Sequence, residues 1–451
     1  MNSDVAVIGA GFSATAMVIN LLEHLPPAKT VSLIGPRARY GLGVAYSTRD
    51  ENHRLNVPAG RMSLYADRPN HLVEWLAAKG HGFGKEDFLP RQLFGRYVQE
   101  TLAGSLQQKD NWARVNLADA EAINCERLDD DCQVFSLSSG EQVQSAHTVF
   151  CLGGTPSGLP IPETAIDQAA RRHVTINAWA DNWLEEVDPD ATIFLLGSGL
   201  TTVDQVVSLK KQGHRGRIHI LSRHGLLPRV HVVPRNPATE PAFEAGSRTL
   251  SEMLHLLRRQ ARSVSDWRMV VDALRPITQT VWQALDSEER ARFFRHANSW
   301  WSVHRHRMAP EIAAVIHAMQ REGQVTIHSG WLQELRKDGD AVVATYRDRH
   351  TSDMRDIRFD RIVNCTGMEK CSISKVPLLK KMAASGLIAA DEQGLGLAVS
   401  PRSELLSPEG RPYPNVYAMG PMTVGQFFEI FAVPDIRVQA RDIAEKIARA
   451  A

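Results

Sequence analysis

A short apolar run that leads into a glycine turn, and then into helically spaced apolar positions, opens the chain. The run Val5 to Ile8 ends in Gly9-Ala-Gly11, and apolar residues from Ala14 to Leu22 recur at helical intervals. A further apolar run, Val31 to Ile34, follows. This order of strand, tight turn, helix and strand predicts a βαβ unit.

The same pattern occurs a second time in the middle of the chain. The run Ala191 to Leu196 leads into Gly197-Ser-Gly199, helical spacing continues through Leu209, and Arg217 to Leu221 is the next apolar run. A second βαβ unit is predicted here, and the sequence shows no other internal repeat.

A long helical block interrupts this alternation. From about residue 239 to 322 apolar positions recur every three or four residues, and no glycine lies between Gly246 and Gly323. Strand-like runs then resume, and a helix is predicted from 436 to 450. We therefore expect an α/β fold with two Rossmann-like dinucleotide-binding domains and a helical insertion in or next to the second.

The predicted division of the chain is discontinuous. Residues 1–160 and 355–451 would form an FAD-binding domain, and residues 161–354 an NAD(P)H-binding domain with an insertion at about 239–322. Two strand-to-glycine segments, 147–160 and 359–370, are expected to cross between the domains, with Gly367 as a candidate cofactor contact. The alternative is that both are ordinary buried strands with glycine turns.

Composition and charge exclude several function classes. The chain has 451 residues with 52 basic and 51 acidic side chains, so its formal net charge of +1 gives no basis for nucleic acid or an anionic membrane as the main partner. The N-terminal apolar run is too short for a signal peptide or a membrane span, which favours the cytoplasm. Five cysteines without close pairing argue against a zinc site or a redox dithiol, and no metal is expected.

The glycine turns point to dinucleotide phosphates. Where a strand runs straight into a helix, the first helical N–H groups converge on one spot that favours an anion, and glycine lets a pyrophosphate approach. Gly9, Gly11 and Ala14 match G-x-G-x-x-G/A, whereas the second turn, with Gly197, Gly199 and Thr201, has fewer glycines. For each turn the alternative is a tight connection that binds nothing.

Two such units favour FAD in the first and a nicotinamide dinucleotide in the second, with hydride passing between the two rings. Arg223 follows the last strand of the second unit, where its guanidinium suits a 2′-phosphate and favours NADPH over NADH. Two alternatives stay open: Arg223 is a solvated strand-end arginine, or Arg229 shares the phosphate role.

The densest chemical cluster is "WWSVHRHRMAP", residues 300–310. On a helix, His304 and Arg305 would each lie one turn from a tryptophan, forming an aromatic and cationic wall for a nicotinamide or a carboxylate-bearing substrate. The alternative is a core of tryptophans with exposed cations. His71 is either a proton shuttle or a helix-start residue, and Glu429 either faces the site or pairs with Arg437.

A set of motifs in this order resembles the bacterial FAD/NAD(P)-binding oxidoreductase family, which is distantly similar to flavin-dependent N-hydroxylating monooxygenases. The motifs that carry the resemblance span nearly the whole chain: "VIGAGFSA", "GLGVAYS", "LNVPAGRMS", "FLPRQLFGRYV", "LGSGLTTVD", "WWSVHRHRMAP" and "GPMTVGQFFEIFAVPDIRVQA".

The resemblance implies roles for individual residues. Gly9, Gly11 and Ala14 would hold the FAD pyrophosphate, and Gly420 would approach the flavin ring. Four further residues are implied near the cofactor, the first two beside the isoalloxazine and the others in a segment that closes over it: Asn56, Met62, Arg91 and Tyr97. The chain departs from the pattern at Gly35, where an acidic ribose contact is common, and at Pro421, where an aspartate is common.

The resulting hypothesis is an FAD-dependent, NAD(P)H-consuming monooxygenase. It would act through a flavin C4a-hydroperoxide on a small amine or amino-acid-like substrate, with O2 as co-substrate. One alternative is a reductase that passes electrons to a quinone, a protein or an enone, and another is a non-catalytic FAD-binding sensor. A homo-oligomer stays open.

Overall fold

The computed structural model describes residues 2–129, 132–179, 183–234, 236–244, 246, 248–339, 341–369 and 373–450. Its strands, in chain order, are β1 Asn2–Ile8, β2 Val31–Ile34, β3 Val115–Ala118, β4 Ala122–Asp129, β5 Cys132–Leu137, β6 Gln142–Phe150, β7 Thr155–Pro156, β8 Val174–Thr175, β9 Ile193–Leu196, β10 Ile218–Ser222, β11 Val325–Asp338, β12 Ala341–Asp348, β13 Met354–Phe359, β14 Arg361–Asn364, β15 Met368–Glu369, β16 Glu404–Leu406 and β17 Pro412–Ala418.

The helices connect and cover these strands. In chain order they are α1 Phe12–His24, α2 His71–Ala78, α3 Arg91–Gln107, α4 Trp183–Glu186, α5 Leu200–Lys211, α6 Leu250–Ser263, α7 Trp267–Ala273, α8 Thr278–Ala284, α9 Ser287–His296, α10 Asn298–Arg305, α11 Pro310–Arg321, α12 Pro377–Ala384 and α13 Val433–Ala450.

The first sheet combines the two ends of the chain. Its order is β16-β17-β6-β1-β2-β3, with β4 and β5 joined through β6. Strands β17, β6, β1, β2 and β3 run parallel, so the C-terminal strand β17 completes the sheet begun by the first βαβ unit. Helix α1 packs on β1 and β2 of this sheet and also on α13 and α3.

The second sheet has the order β13-β12-β11-β10-β9-β14-β8. Its parallel part contains β9 and β10 of the second βαβ unit, and β14 pairs directly with β9. The boundary expected between residues 354 and 355 therefore falls at the start of β13, whereas strand pairing keeps both β13 and β14 in the second sheet. The change of sheet comes after Asn364.

The two predicted crossing segments meet in a small sheet of their own, in which β7 pairs with β15. Lys370 and Cys371, at and just after the end of the second segment, lie outside the described residues. Helices α6 to α11 fill the interval between β10 and β11, so the helical block is an insertion in the second unit. The α/β fold with two Rossmann-like units and a helical insertion is thus confirmed.

Four clusters of buried apolar side chains hold this arrangement together. One underlies the first sheet, and two lie on the faces of the second. The fourth lies inside the helical block and includes Phe428 from the segment between β17 and α13. The helical block is therefore packed against the C-terminal part of the first unit and not only against its own sheet.

Candidate functional site

The first glycine turn leaves a helix N-terminus open to a ligand. Gly11 is the N-cap of α1 and no side chain caps that end. Gly9 has φ 134°, and a Cβ there would lie 2.5 Å from the Cys151 carbonyl oxygen. Only glycine fits this position, and the result is an anion cradle at the end of β1, as FAD requires.

The second turn repeats the first closely. Gly199 is the uncapped N-cap of α5. Gly197 has φ 106°, and its Cβ would lie 2.5 Å from the Cys365 carbonyl oxygen. In each unit the cysteine after the neighbouring strand donates its N–H to the strand that precedes the turn: Cys151 to Ile8 (2.8 Å) and Cys365 to Leu196 (2.7 Å).

The third position differs between the two turns. Ala14 is fully buried on α1. In α5, Thr201 lies half-buried in the first turn, and its neighbour Thr202 donates its hydroxyl to the Gly197 carbonyl at 2.8 Å. Thr202 thus takes the third position of the second turn, as Ala14 does in the first, and its hydrogen bond supports that turn.

Backbone from elsewhere in the chain approaches the N-terminus of α1. A Cβ on Gly43 would lie 3.3 Å from the Gly11 Cα, and one on Gly420 would lie 2.6 Å from the Ser13 hydroxyl. Gly420 also donates its N–H to Gln439 at 2.8 Å. The structure thus places Gly420 beside the first turn, and its approach to the flavin ring stays a prediction.

Gly35 has a structural reason to be small. A Cβ there would lie 3.0 Å from both Ala10 Cβ and the Gly9 carbonyl carbon, so Gly35 packs against the first turn. An acidic side chain is instead supplied by Asp119, which follows β3 and accepts the N–H of Arg37 at 2.8 Å. Asp119 is therefore a candidate ribose contact that the sequence pattern did not indicate.

The second turn opens into a cavity of about 530 Å³. Gly197, Gly199, Arg223, His224 and Trp331 are among the residues that line it. It lies at the carboxyl ends of the parallel strands, where dinucleotides bind in this class of fold.

Cationic side chains lie against the Trp331 ring that lines this cavity. The guanidinium of Arg347 lies 4.7 Å from the Trp331 ring centroid, and that of Arg349 lies 5.4 Å from it. Burial, together with Arg349 and Arg223, lowers the pKa of His224. No motif in the sequence indicated Trp331 or Arg349, because Trp331 lies on β11 and Arg349 just after β12, and the two meet only where these strands pair.

Arg223→Ala is expected to raise the KM for NADPH by about 10- to 100-fold and to leave that for NADH nearly unchanged, since a hydrogen bond to a charged phosphate contributes about 1.5–3 kcal/mol. Initial rates with both nucleotides test this. Arg229→Ala is the matched control, because Arg229 lines a neighbouring cavity instead. An equal rise for both nucleotides in Arg223→Ala would remove the 2′-phosphate role.

The segment "LNVPAGRMS" is held in place by Tyr97 on α3 and by a contact with the second unit. Tyr97 is fully buried, and its hydroxyl accepts the N–H of Leu64 (3.1 Å) and lies 2.8 Å from His71 Nδ1. Burial raises the pKa of Tyr97 to about 12. His71 is the first residue of α2, so its bond to Tyr97 matches the helix-start interpretation and Tyr97 positions the segment.

Asn56 and Met62 lie at the two ends of that segment. The Asn56 carbonyl is 3.0 Å from Nε2 of His231, which belongs to the second unit. Met62 is buried and follows the short helical turn Ala59–Arg61. The structure therefore puts Asn56 at the interface between the units, and Met62 inside the first.

Arg91 lies at the interface between the units. It is the first residue of α3, and its Nη2 is 2.7 Å from Asp204 Oδ2 on α5, with both side chains largely buried. Burial raises the pKa of Asp204 to about 6, against the opposing effect of Arg91. A buried ion pair thus joins the first unit to α5 of the second, and a place for Arg91 in a segment that closes over the cofactor stays a prediction.

A hydrogen-bonded chain lies beside this pair. Ser208, one turn after Asp204 on α5, donates to Asp50 at 2.8 Å and lies 2.8 Å from His53 Nε2. Burial lowers the pKa of His53 to about 4. The interface between the units is therefore polar, buried and specific.

The cluster on α10 divides into two parts. Trp301 donates its indole N–H to Glu429 (2.6 Å), and Arg305 donates to the same carboxylate (3.0 Å). His304 lies elsewhere, with its Nδ1 2.8 Å from the Trp300 carbonyl and its ring 4.8 Å from that of Trp267. The structure thus does not bring the two candidates His304 and Arg305 together.

Glu429 is the centre of a buried charged site. It is 5% exposed and has φ 66°, a strained conformation for a residue with a side chain. Its partners are on α10, whereas Arg437 donates to the Ser63 carbonyl (2.9 Å). The sequence suggested Glu429 but not its partner.

A second buried pair lies near Glu429. Arg275 Nη2 is 3.6 Å from Asp435 Oδ2. Burial and the nearby charge of Arg305 lower the pKa of Arg275 to about 10. Charges from the helical block and from the start of α13 therefore meet at this junction.

Gly367 lies between the crossing segments. Its carbonyl accepts both the N–H (3.3 Å) and the hydroxyl (3.0 Å) of Ser157. Its φ is 102°, and a Cβ there would meet no atom within 4 Å. The structure thus shows a backbone role in the crossing for Gly367, and its cofactor contact stays a prediction.

Two negative findings concern membrane spans and metal sites among the described residues. None of the described helices has the length and apolar character needed to cross a membrane. Among the same residues, no group of three or more His, Cys, Asp or Glu side chains is arranged to hold a metal ion.

Comparison with known proteins agrees with this geometry. Residues 6–155 match a family model described as FAD-NAD(P)-binding. No curated protein sequence matches the chain. Solved structures are also similar to this chain over nearly their full length.

An ornithine N-hydroxylase from Kutzneria sp. 744 has a TM-score of 0.68 at 14% identity, with 100% of both chains covered. An L-lysine 6-monooxygenase from Pseudomonas syringae has a TM-score of 0.67 at 14% identity, again with 100% of both chains covered. A thioredoxin reductase from T. acidophilum has a TM-score of 0.55 at 11% identity, with 100% of this chain and 99% of the other covered. At such identities the likeness shows the fold, and chemistry has to be argued from the site. Residues 6–155 therefore match an FAD-NAD(P)-binding family model, and the chain shares its fold with an ornithine N-hydroxylase, an L-lysine 6-monooxygenase and a thioredoxin reductase.

Proposed function

We propose that this protein is an FAD-dependent, NADPH-consuming monooxygenase that N-hydroxylates a small amine or amino-acid-like substrate. The observation that carries the proposal is the pair of uncapped glycine turns with the same geometry, one in each unit. One dinucleotide needs one such turn, so two turns in one chain support a flavin and a nicotinamide cofactor that exchange a hydride.

FAD fits the first unit. Gly9, Gly11 and the N-terminus of α1 would hold its pyrophosphate, with Asp119 toward the ribose. Asn56, Met62 and Gly420 would lie along the flavin. When bound, FAD would accept hydride from the nicotinamide and would activate O2.

NADPH fits the second unit. Gly197, Gly199 and Thr201 would hold its pyrophosphate at the start of α5, and Arg223 with Arg349 would hold the 2′-phosphate. Trp331 offers an aromatic face for the adenine. The buried interface around Arg91 and Asp204 would keep α1 and α5, the helices at the two glycine turns, in a fixed relative position.

The reaction balances without a further co-reactant. Amine, O2, NADPH and one proton give a hydroxylamine, water and NADP⁺, with one oxygen atom entering the N–O bond and the other leaving as water. The role of the protein is to exclude water and to hold the amine near the flavin in its neutral form, since only the free lone pair attacks oxygen. The helical block, which covers the junction at Glu429, fits that role.

A reductase is the second candidate, favoured by the likeness to thioredoxin reductase. The buried thiols of Cys125 and Cys365 do not support dithiol exchange, because burial raises the pKa of each to about 12. Electron transfer to a quinone, a protein or an enone remains as the alternative acceptor chemistry. A non-catalytic FAD sensor would not need the second turn, which is intact.

Isotopically labelled O2 tests the proposal. With NADPH and a substrate amine, the account predicts that O2 uptake matches NADPH oxidation and that one labelled atom appears in a hydroxylamine product. NADPH oxidation that depends on an added quinone or protein acceptor, without label in any product, would contradict it and favour the reductase.

A further inference from the structure

An apolar cavity of about 80 Å³ lies inside the helical block, with Phe428 on its wall. Leu254, Leu257, Val281 and Trp301 are among the residues that line it. They come from α6, α8 and α10, and Phe428 comes from the segment that leads to α13. The cavity thus lies where the helical block meets the C-terminal part of the first unit.

The polar atoms of the cavity wall are already bonded to other groups. The Thr278 hydroxyl donates to the Leu274 carbonyl (2.9 Å). Trp282 donates its indole N–H to the Gly425 carbonyl (2.8 Å), and Trp301 donates to Glu429 (2.6 Å). These groups have no hydrogen to spare for a ligand, so a charged or polar group placed here would lose its hydration without compensation.

The wall is largely aromatic. The rings of Trp282 and Phe428 stack with centroids 4.6 Å apart, and Phe293 meets Phe428 edge-on at 5.2 Å. Empty apolar space costs stability in proportion to its volume, so an apolar group that fills the cavity would recover the contacts that the empty space lacks.

The cavity adjoins the buried charged site. Trp301 lines it and also donates to Glu429, while Phe428, which lines it too, is the residue before Glu429. A molecule with an apolar group in the cavity would therefore have its remaining part close to Arg305 and to Glu429, whose backbone is strained.

We propose that the substrate carries a compact apolar group and that this group occupies the cavity next to Trp301. An apolar cavity of about 150 Å³ accepts benzene, so about 80 Å³ accepts a group of roughly three or four carbon atoms. The substrate class is then an aliphatic amine with an apolar end, and not a diamine or a basic amino acid with a second charge. This inference rests on the proposed N-hydroxylation for the identity of the reacting group.

Calorimetric titration of the oxidised, FAD-loaded protein with n-pentylamine and with 1,4-diaminobutane tests the inference. The two ligands have the same number of non-hydrogen atoms, and a methyl group in one replaces an ammonium group in the other. The monoamine is expected to bind on the order of 100-fold more tightly, because the cavity cannot solvate the second charge. Equal affinities, tighter binding of the diamine, or no binding of the monoamine would overturn the proposal.

Two phenylalanine variants on α8 locate the binding site. Val281→Phe fills the cavity and is expected to weaken pentylamine binding on the order of 30-fold. Gln283→Phe adds the same ring on the exposed side of the same helix and should bind like the native protein. Thr278→Val, which removes only a hydroxyl that faces the backbone, should retain binding if Val281→Phe fails to fold. Native affinity in a folded Val281→Phe, or lost affinity in a folded Thr278→Val, would contradict the assignment.

The cavity assignment and the proposed N-hydroxylation can be contradicted independently of each other. If pentylamine binds as expected but yields no hydroxylamine, the cavity assignment stands and the proposed reaction falls. If both amines are hydroxylated with equal efficiency, the reaction stands and the cavity assignment falls.

Discussion

Gly11→Trp is expected to abolish FAD binding, and Gly199→Trp to leave the protein yellow while preventing its reduction by NADPH. Both glycines are N-caps with extended backbone, φ −80° and −82°, so a side chain is sterically allowed at each. A Cβ on Gly11 would make an ordinary 3.5 Å contact with the Gly43 Cα, and one on Gly199 meets no atom within 4 Å. Each indole would therefore occupy the space for a pyrophosphate rather than disrupt the fold.

Flavin absorbance after gel filtration and the rate of anaerobic bleaching by NADPH measure the two effects. The variants serve as controls for each other, since each changes one turn and leaves the other native. Thermal unfolding confirms that both are folded. A yellow Gly11→Trp would contradict the first assignment, and native reduction of Gly199→Trp would contradict the second.

Arg91→Leu is expected to lower the free energy of unfolding by about 3–5 kcal/mol near pH 8, because it leaves the Asp204 carboxylate buried without its partner. The loss should be smaller at pH 5.5. The folded-state pKa of Asp204, about 6, lies above its usual value of 3.8, so protonation favours the folded state. In the native protein the stabilisation that comes from the raised pKa of Asp204 is complete below about pH 4 and is lost as the pH rises through 6.

Without Arg91 the pKa of Asp204 rises further, so in the variant that loss continues to higher pH. Urea denaturation at the two pH values measures the difference. Adding Asp204→Asn to Arg91→Leu removes the unpaired charge and should recover most of the stability at pH 8. A loss that is the same at both pH values, or a double variant no more stable than Arg91→Leu, would show that the ion pair does not carry the effect.

The βαβ units were predictable because their signals are local. Gly9 and Gly197 each lie between an apolar run and a helical pattern, and both turns have the backbone that this order requires. Which of the two sheets β13 and β14 join was not predictable in the same way. Whether β14 pairs with β9 or with a strand of the first sheet depends on long-range contacts that the apolar pattern of Arg361–Asn364 does not encode.

The charged residues show the same limit. The sequence indicated Arg91, Arg305 and Glu429, but it gave no means to find that Arg91 meets Asp204 or that Arg305 meets Glu429. Trp331 and Arg349 lie in no motif, and the pairing of β11 with β12 brings Arg349 against Trp331 on the wall of the cavity at the second turn. Partners of this kind are set by tertiary packing, so local periodicity identifies the candidates and not their contacts.

Anaerobic mixing of the purified protein with NADPH, followed by its visible absorption, tests the central claim that one chain holds a flavin and a nicotinamide cofactor in communication. The account predicts a yellow protein whose flavin band bleaches as one equivalent of NADPH is consumed, faster than with NADH. A colourless protein that binds no FAD, or a bound flavin that NADPH does not reduce, would contradict it.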